Sequence, residues 1–283
     1  SYNRKKPSFS NHSFIFMKKD ITFSFGKNWK NFLNRMTDDR IQEAEQSLTD
    51  FLKTNDLQGK NFLDIGCGSG LFSFSAYRLG ANHVVSFDVD PFSVECCRYM
   101  HQKADSPENW QILEGSILDS EFTDSLGKFD IVYSWGVLHH TGKMWESIKN
   151  AATLVHQGGF LYIALYNETK GLNGSLLWLK IKKIYNILPK SGKWILEILY
   201  SAMFCLNKLV KLKNPISDIR NYQSKRGMDF MTDVRDWLGG YPYEFTTTDK
   251  VSDFMKLHFP RFTLINLKST SGTGVNWFLF SNH

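Results

Sequence analysis

The sequence predicts an α/β protein: a doubly wound, mostly parallel, seven-stranded sheet closed by a terminal β-hairpin. Three observations carry that reading. Five short apolar runs, over 61–65, 83–88, 110–114, 129–134 and 160–165, alternate with stretches of helical pattern. Such alternation builds a parallel sheet with helical crossovers. The first run opens directly into a turn with glycine at every second position, Gly66, Gly68 and Gly70. The last two runs, 262–267 and 275–280, meet across Gly272 and Gly274, a hairpin that sets one strand antiparallel to the rest. An N-terminal arm and cap helix (1–57) precede the core (58–167). A helical insert with connecting helices (168–260) separates that core from the hairpin (261–283).

A chain of 283 residues suffices for one large α/β domain with insertions, or for two small domains. Its 42% hydrophobic content supports a substantial core and excludes global disorder. Of four cysteines, Cys96 and Cys97 are adjacent, and Cys67 and Cys205 lie far from them. Without Cys-x-x-Cys spacing, neither a disulfide framework nor a zinc site is indicated. No apolar run near the start reads as a signal peptide, so a cytoplasmic location is expected. The net charge of +6 favours anionic surroundings: nucleic acid, a membrane surface or a negatively charged substrate.

Taken in order, residues 1–20 are polar and basic, with Arg4, Lys5 and Lys6, and read as a loose arm. The stretch 23–29 is aromatic-rich and precedes a helix expected over 39–55. It reads as a cap over a pocket mouth, with Trp29 placed to cover a cofactor, or as plain packing on the core. Run 61–65 is apolar except at its ends, as a strand covered on both faces should be. The glycines after it allow positive φ and a close approach to the backbone. Their N–H groups lie at a helix N-terminus, which favours a polar or anionic ligand. Spacing excludes two ligand classes. A dinucleotide fingerprint sets its third glycine three residues after the second, whereas Gly70 follows Gly68 by two. No Gly-Lys-Ser/Thr follows, so the turn is not a P-loop.

The next helix runs to Leu79 and is closed by Gly80. The second strand ends at Asp88, with Val89 beside it; a carboxylate there can accept both ribose hydroxyls. Asp90 and Pro91 read as an N-cap followed by Pro in the first turn. Ser116 and Ile117 follow the third strand. Ser134 and Trp135 end the fourth, and His139 and His140 come just after. Ligands of open α/β sheets bind outside the carboxyl ends of the strands, so this loop should line the site. A helix over 144–155 leads to Gly158 and Gly159, which are expected to turn the chain into the fifth strand. Tyr166 and Asn167 then fall at its ligand-side end. In the insert, Leu177, Ile181, Ile184 and Leu188 share one helical face, with Lys180, Lys182 and Lys183 off it. Residues 194–206 are nearly all apolar, interrupted by Glu197 and Ser201, and are shorter than the roughly 18–20 residues a spanning helix needs. Lys208, Lys211 and Lys213 follow. Shorter helices are expected over 229–238, ended by Gly239 and Gly240, and from Thr248 to His258.

The wording Asp-Ile-Gly-Cys-Gly-Ser-Gly at 64–70 resembles the first motif of class I S-adenosylmethionine (SAM) methyltransferases. Ser-Trp-Gly-Val-Leu-His-His at 134–140 resembles the fourth motif of small-molecule methyltransferases of the ubiquinone-biosynthesis type. The resemblance covers about 58–168 and 261–281. It implies SAM as cofactor, S-adenosylhomocysteine as product, and Asp64, Gly66, Cys67, Gly68 and Gly70 around the methionine part. It also implies an adenine site at the loop holding Ser116 and Ile117. The family often has an acidic residue where this chain has Ser116, which leaves backbone groups, the Ser116 hydroxyl or Asp119 for that contact.

In-line methyl transfer needs alignment and a competent nucleophile. A hydroxyl nucleophile is helped by a general base, for which His is suited near neutral pH. His139 or His140 is placed to act, and a lightly perturbed imidazole would make the rate rise with an apparent pKa near roughly 6–7. The sequence lacks the Asn/Asp-Pro-Pro-Tyr/Phe of amino-methylating nucleic-acid enzymes, a Pro-Cys pair and an acidic metal cluster. The expectation is therefore metal-independent O-methylation of a hydroxyl or carboxyl on a small-molecule, glycan or lipid-linked acceptor. Tyr166, Asn167 and Arg226 are its candidate substrate contacts. The insert either lids the pocket, decorates the sheet, or lies on a membrane through 172–213. Two other readings stay open. Some wobble-uridine carboxymethyl methylases resemble the same Val-Leu-His-His loop, and a basic insert could bind tRNA phosphates. A non-catalytic SAM-binding scaffold is the other.

Overall fold

The structure, a computed structural model, describes residues 37–220, 222 and 230–283. The expectations placed on the arm, on the cap stretch with Trp29 and on Arg226 lie outside the described residues. Helix α1 (Asp38–Leu52) starts with two acids that suit its positive end and packs Ile41, Ala44, Leu48 and Phe51 inward at helical spacing.

Seven strands then form one sheet: β1 (Asn61–Ile65), β2 (His83–Asp88), β3 (Trp110–Glu114), β4 (Phe129–Trp135), β5 (Val155–Tyr166), β6 (Phe262–Lys268) and β7 (Val275–Asn282). Their order is β3-β2-β1-β4-β5-β7-β6. The first five pair in parallel, and β7 runs antiparallel to both β5 and β6. The predicted architecture is thus the observed one. Helices α2 (Leu71–Arg78), α3 (Pro91–Lys103), α4 (Ser120–Leu126) and α5 (Met144–Thr153) make the crossovers. Asp90 caps α3 through Phe92 N–H at 3.0 Å, as its Asp-Pro pair predicts. One sheet face buries Leu63, Phe87, Val132 and Ile163 under Ile148 and Ala151 of α5. The other buries Phe62, Val84, Ile131 and Tyr162 under α1, α2 and α3.

Gly158 and Gly159 do not turn the chain into β5; they lie inside it. Val155 already pairs with Phe129, and the register shifts before Ile131 meets Phe160. A Cβ on Gly159 would stand 2.7 Å from the Asp130 carbonyl oxygen, so the pair serves as a bulge with close backbone approach.

The insert leaves the sheet at Asn167 and returns at Thr246, and the two residues form a single parallel bridge. It holds α6 (Ser175–Ile187), α7 (Lys190–Val210), α8 (Pro215–Arg220) and α9 (Phe230–Gly239). These close around their own small core of Tyr185, Phe230, Val234 and Leu238. Helix α10 (Thr248–His258) instead places Val251 and Met255 in the main core. The insert's facing differs from expectation. Ile184 of the apolar stripe is exposed, while Lys182, read as off that stripe, is fully buried. Among the described residues no helix is long and apolar enough to cross a membrane.

Candidate functional site

The ends of β1, β2 and β4 meet at one crevice. Gly66, Gly68 and Gly70 all have positive φ, at 72°, 53° and 78°. The turn is tied down: Gly66 and Cys67 N–H donate to the Phe87 carbonyl at 2.8 and 3.0 Å. A Cβ on Gly70 would stand 2.8 Å from Cys97 Cα, and one on Gly66 would stand 2.5 Å from the Val137 methyls. Both positions therefore exclude a side chain. Asp88 caps the crevice, accepting from Gly68 N–H at 3.1 Å and from Asp90 N–H at 2.9 Å. Burial holds its carboxyl above the ordinary range, against those two hydrogen bonds. A two-oxygen acceptor beside a side-chain-free turn fits the ribose diol and polar tail of a nucleoside cofactor.

Asp64 lies behind the turn, at the end of a buried relay. Trp110 Nε1 donates to Ser86 (2.8 Å), Ser86 to Ser73 (2.7 Å), and Ser73 to Asp64 Oδ2 (2.5 Å). Burial pushes the Asp64 carboxyl up to about 7, with the Ser73 bond opposing and the Asp88 charge adding. The Cys67 thiol is raised well above its usual range by its contact with Cys97 and by burial, so it is a packed, unreactive thiol.

The other expected cofactor contacts divide. Val89 and Trp135 are exposed at the rim, and Trp135 meets Trp277 edge-on at 6.0 Å. Ser116 turns its hydroxyl to Leu118 N–H at 3.1 Å. Ser134 and Ile117 offer no side chain to a ligand. The Ser134 hydroxyl is buried on the Ile65 carbonyl (3.1 Å), and Ile117 packs into the main core with its carbonyl taken by Asn150.

The histidines sit on a short 3-10 turn, Leu138–His140. His139 is fully buried, and its Nδ1 accepts from Tyr166 N–H at 3.3 Å. Its Nε2 has no hydrogen-bond partner. Burial holds its pKa well below the usual imidazole range, with His140 and Lys182 adding to the shift and a backbone bond to Ala164 opposing it. His140 is half-buried and its Nδ1–H donates to the Pro242 carbonyl at 2.5 Å, which leaves the lone pair on Nε2. Burial pushes this ring down to about 3, against the Pro242 bond. Neither ring is the lightly perturbed imidazole expected, because both are desolvated in an aromatic nest. Tyr166 lies at its centre, 4.0 Å from the His139 ring, 5.5 Å from His140 and 4.9 Å from Tyr243.

The sequence reading missed the other wall of this nest. Lys182 donates to the Trp237 carbonyl, with its Nζ 4.4 Å from the Trp237 ring and 4.9 Å from Tyr243. Burial lowers it to about 7, opposed by Asp236. Glu244 accepts from Met144 N–H at 2.9 Å, and its own N–H donates to the His139 carbonyl at 2.9 Å. The available signal was the run Gly239-Gly240-Tyr241-Pro242-Tyr243, an aromatic-rich turn read only as a helix end.

Asn167, expected at the substrate, is committed to structure. Its Nδ2 donates to the Thr270 and Gly272 carbonyls, and its Oδ1 accepts from Asn276, pinning the β6–β7 turn. Among the described residues no group of three or more His, Cys, Asp or Glu is arranged to hold a metal ion.

A family model described as a methyltransferase domain matches residues 56–202, just over half of the chain. The ubiquinone biosynthesis O-methyltransferase of Pelagibacter ubique is 30% identical over 128 residues, 44% of this chain and 51% of that protein. Its namesake from Coxiella burnetii is 28% identical over 152 residues, 53% of this chain and 59% of the relative. The chain thus spans about half the length of the curated relatives it matches. Among solved structures, the magnesium protoporphyrin IX methyltransferase of Synechocystis PCC 6803 superposes with a TM-score of 0.51 at 16% identity, over 86% of this chain and 84% of that one. An O-methyltransferase family protein from Burkholderia thailandensis gives 0.52 at 15%, over 90% and 59%. These two likenesses concern the fold.

Proposed function

The chain belongs to the methyltransferase-domain family, and from that premise we propose that it is a SAM-dependent, metal-independent O-methyltransferase with His140 as its base. One observation carries the reading. A side-chain-free glycine turn and a strand-end carboxylate lie where β1 and β2 end, and an imidazole oriented by a carbonyl follows the end of β4, the strand that pairs with β1. Gly66, Gly68, Gly70 and Asp88 would hold the cofactor, which supplies an electrophilic methyl group on a sulfonium. His140 is favoured over His139 because its Nδ1–H is fixed by Pro242 and the residue keeps some exposure, whereas His139 has none. Held neutral, it takes the proton of the acceptor hydroxyl on Nε2 as the oxygen is methylated. Its low proton affinity makes it a weak base, so an acidic hydroxyl, of the phenol or enol kind, asks less of it than an alkanol would. Lys182 and the rings of Tyr166, Trp237 and Tyr243 would make the wall beside that oxygen. The relatives' printed name, ubiquinone biosynthesis O-methyltransferase, is in keeping with such an acceptor.

The test is transfer from methyl-labelled SAM to a panel of phenols, carboxylic acids, glycans, lipid extracts and bulk tRNA, with and without EDTA. The proposal expects label in base-stable ethers of phenolic acceptors, unchanged by EDTA. Base-labile label would mean a carboxyl acceptor, and label in tRNA would move the assignment to RNA. Tight SAM binding with no transfer to any fraction would make the chain a scaffold.

A further inference from the structure

Helix α7 packs Leu196, Tyr200 and Phe204 against the insert's own core and leaves a second apolar face outward. Its one buried residue is an acid, Glu197, which accepts from the Tyr185 hydroxyl at 2.8 Å and from Arg235 Nε at 3.1 Å. The opposite face carries Trp194, Ile198, Leu199, Met203, Leu206 and Val210, all exposed, up to 83% at Val210. These positions fall on one half of the helix, at the spacing that normally marks a core-facing stripe. Leu172 ahead of the two long insert helices and Leu212 behind them are 94% and 97% exposed. Contiguous apolar surface of this extent marks an interaction site.

Charge selects the partner. Residues 169–213 contain nine lysines and one acid, a net charge of +8, and that acid is the buried Glu197. The whole chain carries only +6, so the remainder is net acidic. Lys190 precedes the apolar stripe, Lys211 and Lys213 follow it, and Lys180 and Lys183 are exposed on α6 beside it. A second copy of the chain would set one lysine-bounded face against another, which disfavours self-association through this face. An apolar stripe bounded by lysines is suited to lie in the headgroup layer of an anionic bilayer, side chains in the acyl boundary and ammonium groups on the phosphates.

We propose that the outer face of α6 and α7 docks this protein on anionic lipid bilayers. The contact is peripheral, with α7 lying in the plane of the surface. It does not depend on the methyl-transfer assignment, because none of the face residues belongs to the crevice or the histidine nest.

The test is co-sedimentation of the full chain with vesicles of phosphatidylcholine alone, or of equal parts phosphatidylcholine and phosphatidylglycerol. Binding is expected to the mixed vesicles only, and to weaken as salt is raised. Lys211→Glu and Lys213→Glu should each lower partitioning by about fivefold or more. Ile198→Ser with Leu206→Ser should lower it on the order of tenfold. Brominated phosphatidylglycerol should quench a tryptophan signal that is absent in Trp194→Phe. An unchanged circular dichroism spectrum and SAM affinity would verify that each variant is folded. The proposal is overturned if the folded wild type stays in solution with both vesicles, if the face variants bind like wild type, or if the wild type is a dimer that Ile198→Ser with Leu206→Ser dissolves. Sedimentation with tRNA but not with vesicles would likewise replace the lipid with RNA.

Discussion

At the scale of single residues, the crevice holds two acids in different surroundings. Asp88 accepts hydroxyls as a carboxylate, which its two N–H donors favour against its burial. Asp88→Ala should weaken SAM binding by on the order of 1.5–3 kcal/mol by calorimetry; unchanged affinity would remove it from the site. Asp64 is different, since its carboxyl is raised to about 7. A carboxyl with a raised folded pKa binds its proton more tightly when folded, so it subtracts stability as pH climbs from its unfolded value towards 7. Asp64→Asn removes that penalty and should raise the unfolding free energy near pH 8 by up to about 4 kcal/mol, while weakening SAM binding. A variant less stable than wild type there would show that the Ser73 bond outweighs the burial. The histidines should separate by readout. His140→Asn should lower turnover at least about 10²-fold with SAM affinity intact. His139→Asn should act mainly on the thermal midpoint, because that ring is packed at zero exposure. With His140 held near 3, the rate should show no imidazole step between pH 6 and 7, contrary to the reading from sequence.

At the scale of elements, the joint between α6 and the end of α9 includes a buried amine beside the Asn186 bond to Gly239. Lys182 has a folded pKa of about 7 against 10.5 unfolded. The folded state binds fewer protons between those values, so stability should rise as pH climbs above about 7. Urea unfolding of wild type minus Lys182→Met should show that slope, and a difference independent of pH would place the lysine in a wetter site. This joint was not legible in sequence, because it depends on a contact between residues 182 and 237 that no local pattern encodes. The same limit hid the relay to Asp64, whose members Trp110, Ser86 and Ser73 come from three separate elements. What was legible is local. The glycine turn, the acid closing β2, the Asp-Pro cap and the final hairpin each declare themselves within a few residues. Periodicity revealed that α6 and α7 have apolar faces but not which way they point, and α7 leaves one such face outward. Gly158 and Gly159 were misplaced for a related reason: a glycine pair marks a turn or a bulge equally well, and the neighbouring strand decides.

At the scale of the whole molecule, the insert is an appendage to the sheet and a component of the site at once. Neither main core draws a side chain from residues 168–245, and the insert's own cluster contains only its own residues. Its two ends already touch through the bridge between Asn167 and Thr246, so a short glycine–serine linker can replace it with little closure entropy. Such a variant should therefore fold with the full sheet and bind SAM much as the intact chain does, since Gly66, Gly68, Gly70 and Asp88 keep all their partners. Its stability should fall by about 0.5–2 kcal/mol, the range for losing a cap like the one Glu244 supplies to Met144 N–H. Acceptor turnover should drop at least about 10²-fold, because Pro242 no longer orients His140 and the wall of Lys182, Trp237 and Tyr243 is gone. Vesicle binding should vanish with α7. The three readouts are separable: calorimetry for the cofactor, labelled methyl transfer for the acceptor, and sedimentation for the bilayer. An excised chain that fails to fold would make the insert part of the core. One that folds and keeps full turnover would move both the base and the acceptor wall back onto the sheet itself.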